Sequence, residues 1–80
     1  MATDYQKVIN ELLVEYGERR DKFYHASFTT KQVLEKVGLP NTVEKQKYVV
    51  TIVNTLYPGS RVERASRDEG FLLHVRTRVK

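Results

Sequence analysis

The chain has 80 residues, 40% hydrophobic and 30% charged, a balance that fits one compact domain over residues 1–80 and excludes wholesale disorder. It has no cysteine, which excludes disulfide frameworks and thiolate metal sites, and no apolar run approaches the roughly 20 residues of a membrane span. The net charge of +4 is uneven: residues 1–24 carry four basic and five acidic side chains, residues 61–80 six and three, so the C-terminal end favours polyanionic partners.

Thr3 to Tyr16 is expected to form the first helix. Tyr5, Val8, Ile9, Leu12, Leu13 and Tyr16 fall on one stripe at helical spacing, with Lys7, Asn10, Glu11 and Glu15 opposite. Thr3 with Gln6 has capping-box spacing, Asp4 lies where the helix dipole favours an acid, and Gly17 stands where a left-handed stop belongs. This helix reads as scaffold. Glu18 to Lys22 (ERRDK) reads as a solvated connector and Phe23 to Phe28 (FYHASF) as a brief strand. His25 has no metal ligand at a matching spacing and reads as a packing or surface residue. The opening MATDYQKV has no basic segment followed by an apolar one, so no signal peptide is expected. The setting that follows is cytoplasmic (nucleoid-associated) or nuclear.

Thr29 to Val37 is expected to be the second helix. Thr29 and Gln32 repeat the capping box, Val33, Leu34 and Val37 form its apolar stripe, and Gly38 sits at its left-handed end. Pro40 forbids simple continuation, so the short turn Gly38-Leu39-Pro40-Asn41 forces the next helix off at a large angle. Thr42 to Tyr57 is that third helix, with Val49, Ile52, Val53 and Leu56 spaced for burial. At about 100° per residue its far side collects Glu44, Lys47, Tyr48, Thr51, Asn54 and Thr55. Lys, Tyr, Thr and Asn donate to phosphates or read base edges, whereas Glu44 repels phosphate. Lys45 stands at the border of the buried stripe.

After Pro58-Gly59 the period changes from helical to two. Arg61 to Ser66 and Phe71 to Val79 read as a hairpin with the four-residue loop Arg67-Asp68-Glu69-Gly70. With Ser66 opposite Phe71, Arg64 faces Leu73, Val62 faces Val75 and Glu63 faces His74. Phe71, Leu73, Val75 and Val79 then point inward, and Leu72, His74, Arg76, Arg78 and Lys80 outward.

The order helix, short strand, helix, turn, helix, hairpin resembles the winged helix-turn-helix family of DNA-binding domains, an α+β fold with three helices, a short strand and a C-terminal β-hairpin wing. The resemblance spans nearly the whole chain. It rests on that order, on FTTKQVLEKVGLP at the helix-turn-helix and on RVERAS-RDEG-FLLHV as the wing. It implies that helix 42–57 enters the major groove of double-stranded DNA, pointing Thr42, Lys45, Lys47, Tyr48 and Thr51 at base edges. It also implies that Thr30 and Lys31 lie near the phosphate backbone and that hairpin 61–79 places Arg64 and Arg67 on the backbone or minor groove. Asp68 and Glu69 at the wing tip weigh against deep insertion. The chain stops after the wing, so a homodimer would use the first helix or the hairpin edge.

The expected function is therefore DNA binding, as a small transcriptional regulator. The alternatives are a protein-interaction winged-helix module of a larger assembly and a nonspecific chromatin- or RNA-binding protein. His25 and His74 belong to no nucleophile–base motif and the four glycines are scattered, so neither an enzyme, a cofactor, a metal nor a small-molecule ligand is expected. No membrane association is expected either. The charged, cysteine-free composition suits an archaeal thermophile or its virus.

Overall fold

The first helix, α1 (Tyr5–Tyr16), buries Tyr5, Ile9, Leu12 and Leu13, the stripe read from the sequence, but leaves Tyr16 half exposed. The computed structural model describes residues 5–78, so Thr3, Asp4, Val79 and Lys80 fall outside it. Gly17 is not left-handed as expected. Glycine is needed there because a Cβ would lie 2.0 Å from the Leu13 carbonyl oxygen.

The charged connector is a strand rather than a loop. β1 (Glu18–Arg20) pairs antiparallel with β2 (Phe23–Thr29), Arg20 opposite Phe23 across the two-residue turn Asp21-Lys22. Asp21 adopts φ 56°, a conformation that Asp tolerates better than most side chains. All three residues of β1 are exposed, so it has no apolar alternation for the sequence to display.

α2 (Thr30–Val37) begins with the expected capping box: the Gln32 amide donates to Thr29 Oγ1, and the Thr29 amide donates to Gln32 Oε1. It ends at Gly38 with φ 88°, whose amide donates to Leu34 O, as does that of Leu39. Lys36 ties α2 to α1 through Glu11 and Glu15. α3 (Val43–Leu56) is capped by Thr42 Oγ1, which accepts from the Lys45 amide. Its buried line runs Gln46, Val49, Val53 and then Tyr57. Leu56, expected in that line, is 38% exposed, and Tyr57 at the helix end is buried instead.

β3 (Arg61–Arg64) and β4 (Phe71–Arg78) form the second hairpin, and the sheet order is β1-β2-β4-β3, antiparallel throughout. The hairpin register differs from the expected one by two residues. Arg64 pairs with Phe71 and Val62 with Leu73, so the loop spans residues 65–70. A shift of two keeps every side chain on its face, so Leu73 and Val75 remain buried as expected. β2 and β4 form the long central pair, from Phe23 opposite Arg78 to Thr29 opposite Leu72.

The three helices pack on one face of this sheet, giving a small α+β domain. Ala26, Phe28, Leu73 and Val75 from the strands meet Ile9, Val33, Leu34, Val49 and Val53 from the helices. Phe28 and Leu34 are at most 1% exposed, and burying each stabilises the fold by about 1.5–3 kcal/mol. No described helix is long and apolar enough to cross a membrane.

Candidate functional site

The loop of the second hairpin folds back onto the turn between α2 and α3. The Thr30 hydroxyl donates to Glu69 O and accepts from the Phe71 amide, each at 3.1 Å. The Lys31 amide also donates to Glu69 O. Asn41 Nδ2 donates to Asp68 O at 2.6 Å, and Asn41 Oδ1 accepts from Gln46 Nε2 at 2.7 Å. Within the loop, Ser66 Oγ accepts from the Glu69 amide. The start of α2, the interhelical turn, the first turns of α3 and the loop are thus one hydrogen-bonded unit.

That docking opens a groove of about 390 Å³ between α3 and the hairpin. Val43, Gln46 and Lys47 line it from α3, and Arg64, Ser66 and Arg67 from the hairpin. Arg64 reaches it because its position in β3 shares the face of Val62 and Leu73, the face on which α3 packs. Lys47, Arg64 and Arg67 have no carboxylate within ion-pair distance among the described residues. Asp68 is drawn out of this arrangement by Lys31, its carboxylate 2.9 Å from Nζ. The hydrogen bond and charge of Asp68 hold the Lys31 ammonium above its ordinary pKa, so Lys31 stays protonated. Three cations with no ion-pair partner among the described residues therefore share one groove, and Asp68 of the loop is already matched.

The sequence-predicted residues separate into groups. Lys47, Arg64 and Arg67 come together in the groove. Thr51 lies beside them on the exposed side of α3, its hydroxyl donating to Lys47 O, which leaves its lone pairs and methyl group facing out. Tyr48 and Lys45 sit on the opposite flank, about 100° and 160° from Lys47 around the helix. The Tyr48 ring packs edge-on against Tyr5, centroids 5.5 Å apart. Thr42 is exposed but its oxygen is engaged as the cap of α3. Lys31 is half buried and paired.

Thr30 does not fit its expected place at a phosphate. It is fully buried and both its hydrogen-bonding roles are filled by Glu69 and Phe71. Its position at the first residue of α2 gave no sign of this, since its partners lie 39 and 41 residues away.

Sequence reading also missed members of the groove. Gln46 is 5% exposed and positions Asn41, although its place in the buried line of α3 was readable from the 3.6-residue period. Val43 is 59% exposed at the groove, an apolar group of the kind that meets a thymine methyl. Among the described residues no group of His, Cys, Asp and Glu could hold a metal ion. Comparison of the chain with family models, with curated proteins and with solved structures gives no match.

Proposed function

We propose that the chain is a winged helix-turn-helix protein that binds double-stranded DNA, as a small transcriptional regulator. The observation that carries this reading is the set of three unpaired cations, Lys47, Arg64 and Arg67, contributed by α3 and the hairpin to one groove. In this reading the exposed side of α3 lies in the major groove, Lys47 and Thr51 read base edges, and Val43 meets a thymine methyl. Arg64 and Arg67 hold the phosphate backbone beside it. The element order and the β2-β4-β3 arrangement behind α3 support assigning the hairpin as a wing.

The test is selection from a random duplex pool followed by titration at several salt concentrations. An enriched motif bound well above scrambled duplexes, and steeply weakened by salt, is the expected result. Absence of binding to any duplex at low salt would end this reading.

A second reading, a protein-interaction module, draws on Val43 and Tyr48, both more than half exposed on α3, and on the exposed Glu44 beside them. It expects a protein complex that survives high salt, with no duplex affinity.

A further inference from the structure

The sheet face turned away from the helices carries a second cationic surface, separate from the groove. Ala26, Phe28, Leu73 and Val75 point into the core, so their alternate neighbours point outward. Strand register sets these in rows: Arg20, Phe23 and Arg78; Glu18, His25 and Arg76; Ser27, His74 and Arg61. Arg20, Arg61, Arg76 and Arg78 thus face two carboxylates, Glu18 and Glu63.

Both carboxylates are committed. Glu18 lies 3.4 Å from the Arg20 guanidinium, and Glu63 Oε2 lies 2.7 Å from His74 Nε2. His74 Nδ1 is 2.9 Å from Ser27 Oγ, so both ring nitrogens are engaged. Among the described residues no carboxylate lies within ion-pair distance of Arg61, Arg76 or Arg78. The Arg76 guanidinium sits 4.5 Å from the centre of the Phe23 ring, and Phe23 meets His25 edge-on at 6.3 Å. Between these side chains lies a shallow cleft of about 560 Å³, lined by Arg20, His25, Arg61, His74 and Arg76.

We propose that this face binds single-stranded nucleic acid, with phosphates on Arg61, Arg76 and Arg78 and a base against Phe23 and His25. The face is made of four strands, with no helix on it among the described residues to enter a duplex groove. Guanidiniums interleaved with ring faces match a strand whose bases are free to stack. The two surfaces lie on different sides of the molecule, so one chain can hold a duplex at α3 and an unpaired strand at the sheet. This inference does not depend on the groove reading and survives its failure.

The test is titration of the isotopically labelled protein with a short thymidine oligonucleotide, which cannot pair with itself, and with its uridine counterpart. Amide resonances of β2 and β4 should shift, while those of α3 stay in place. At 0.1 M salt each phosphate contact on a single strand is worth about fivefold in affinity. Arg61→Ala with Arg78→Ala should therefore weaken strand binding about 25-fold, with unchanged thermal unfolding because both side chains are exposed. Phe23→Leu should weaken it at least fivefold, and Lys47→Ala with Arg67→Ala should leave it unchanged. The proposal is overturned if neither oligonucleotide binds, or if the shifts and losses follow α3 and the hairpin loop. It is equally overturned if heparin binds as well as the strand and Phe23→Leu changes nothing, since the face would then be a nonspecific polyanion patch.

Discussion

The Thr30 hydroxyl and the Glu69 carbonyl, 39 residues apart in the chain, meet at 3.1 Å in the interior. The same hydroxyl accepts from the Phe71 amide, so one buried oxygen fixes the hairpin to the first turn of α2. Thr30→Val keeps the shape and removes both bonds, leaving the part-buried Phe71 amide without this partner. It should lower stability by about 1–3 kcal/mol. Thr30→Ser should recover most of that loss. Urea unfolding of the two variants measures it, and loss in Thr30→Ser with none in Thr30→Val would show that packing of the methyl group, not the hydroxyl, matters.

Gly70 closes the same contact from the other side. Its φ is 85°, and a Cβ would lie 2.2 Å from Thr30 Oγ1 and 2.8 Å from Gln46 Cδ. Gly70→Ala should combine a left-handed penalty of about 1–2 kcal/mol with about 1–3 kcal/mol of overpacking. Gly38 has a similar φ of 88° with nothing within 4 Å of the same atom, so Gly38→Ala should carry the first penalty alone. Thermal unfolding of the pair separates the two contributions. Similar midpoints would mean that the loop gives way around position 70.

Tyr57 and Tyr5 give the domain an alkaline limit. Both rings are buried, and burial holds both phenols above the ordinary value of 10.0, with Tyr48 adding to the effect at Tyr5. The unfolded chain ionises these groups first. Their contribution to stability is therefore complete below pH 10 and is lost as pH rises through the raised folded values. The absorbance change of phenol ionisation that Tyr57→Phe removes should lie above pH 10 in the folded protein. An ionisation at or below 10 would contradict the burial. The same variant loses the hydrogen bond to Asn10 Oδ1 and should cost about 1 kcal/mol at neutral pH.

Local chemistry was legible at both ends of α2, though not at Gly17, which is not left-handed. Thr29 with Gln32 and Gly38 mark the ends of α2 with signals only a few residues long, and the structure places each as expected; Thr42, read as a base-edge residue, is instead the cap of α3. The second hairpin shows the boundary of such reasoning. A period of two assigns Leu73 and Val75 to the core, but it cannot distinguish registers that differ by two residues. The choice of Arg64 opposite Phe71 goes with the loop's bonds to Thr30, Lys31 and Asn41, which no local pattern contains. β1 was unreadable for another reason: an edge strand exposed at every residue has no apolar face. In the groove, Lys47, Arg64 and Arg67 were readable as basic residues on exposed positions. The burial of Thr30 and the pairing of Lys31 with Asp68 depend on the same long-range docking and were not.

The Lys31–Asp68 pair sets the last prediction. Asp68 is 77% exposed and Lys31 36%, so solvent screens the pair and it adds little to folding, and less at high salt. Its larger effect is on charge, because it neutralises a lysine beside the groove. If that groove holds duplex DNA, Asp68→Asn removes a repelled carboxylate and frees the ammonium for a phosphate. Affinity should rise by about eightfold at 0.1 M salt, and the slope of log affinity against log salt should steepen by about 0.9. Lys31→Ala should leave that slope nearly unchanged, because in the parent protein the lysine is already matched. An unchanged slope in Asp68→Asn, measured by anisotropy on one duplex, would place Lys31 away from the bound phosphates and confine the contact surface to Lys47, Arg64 and Arg67.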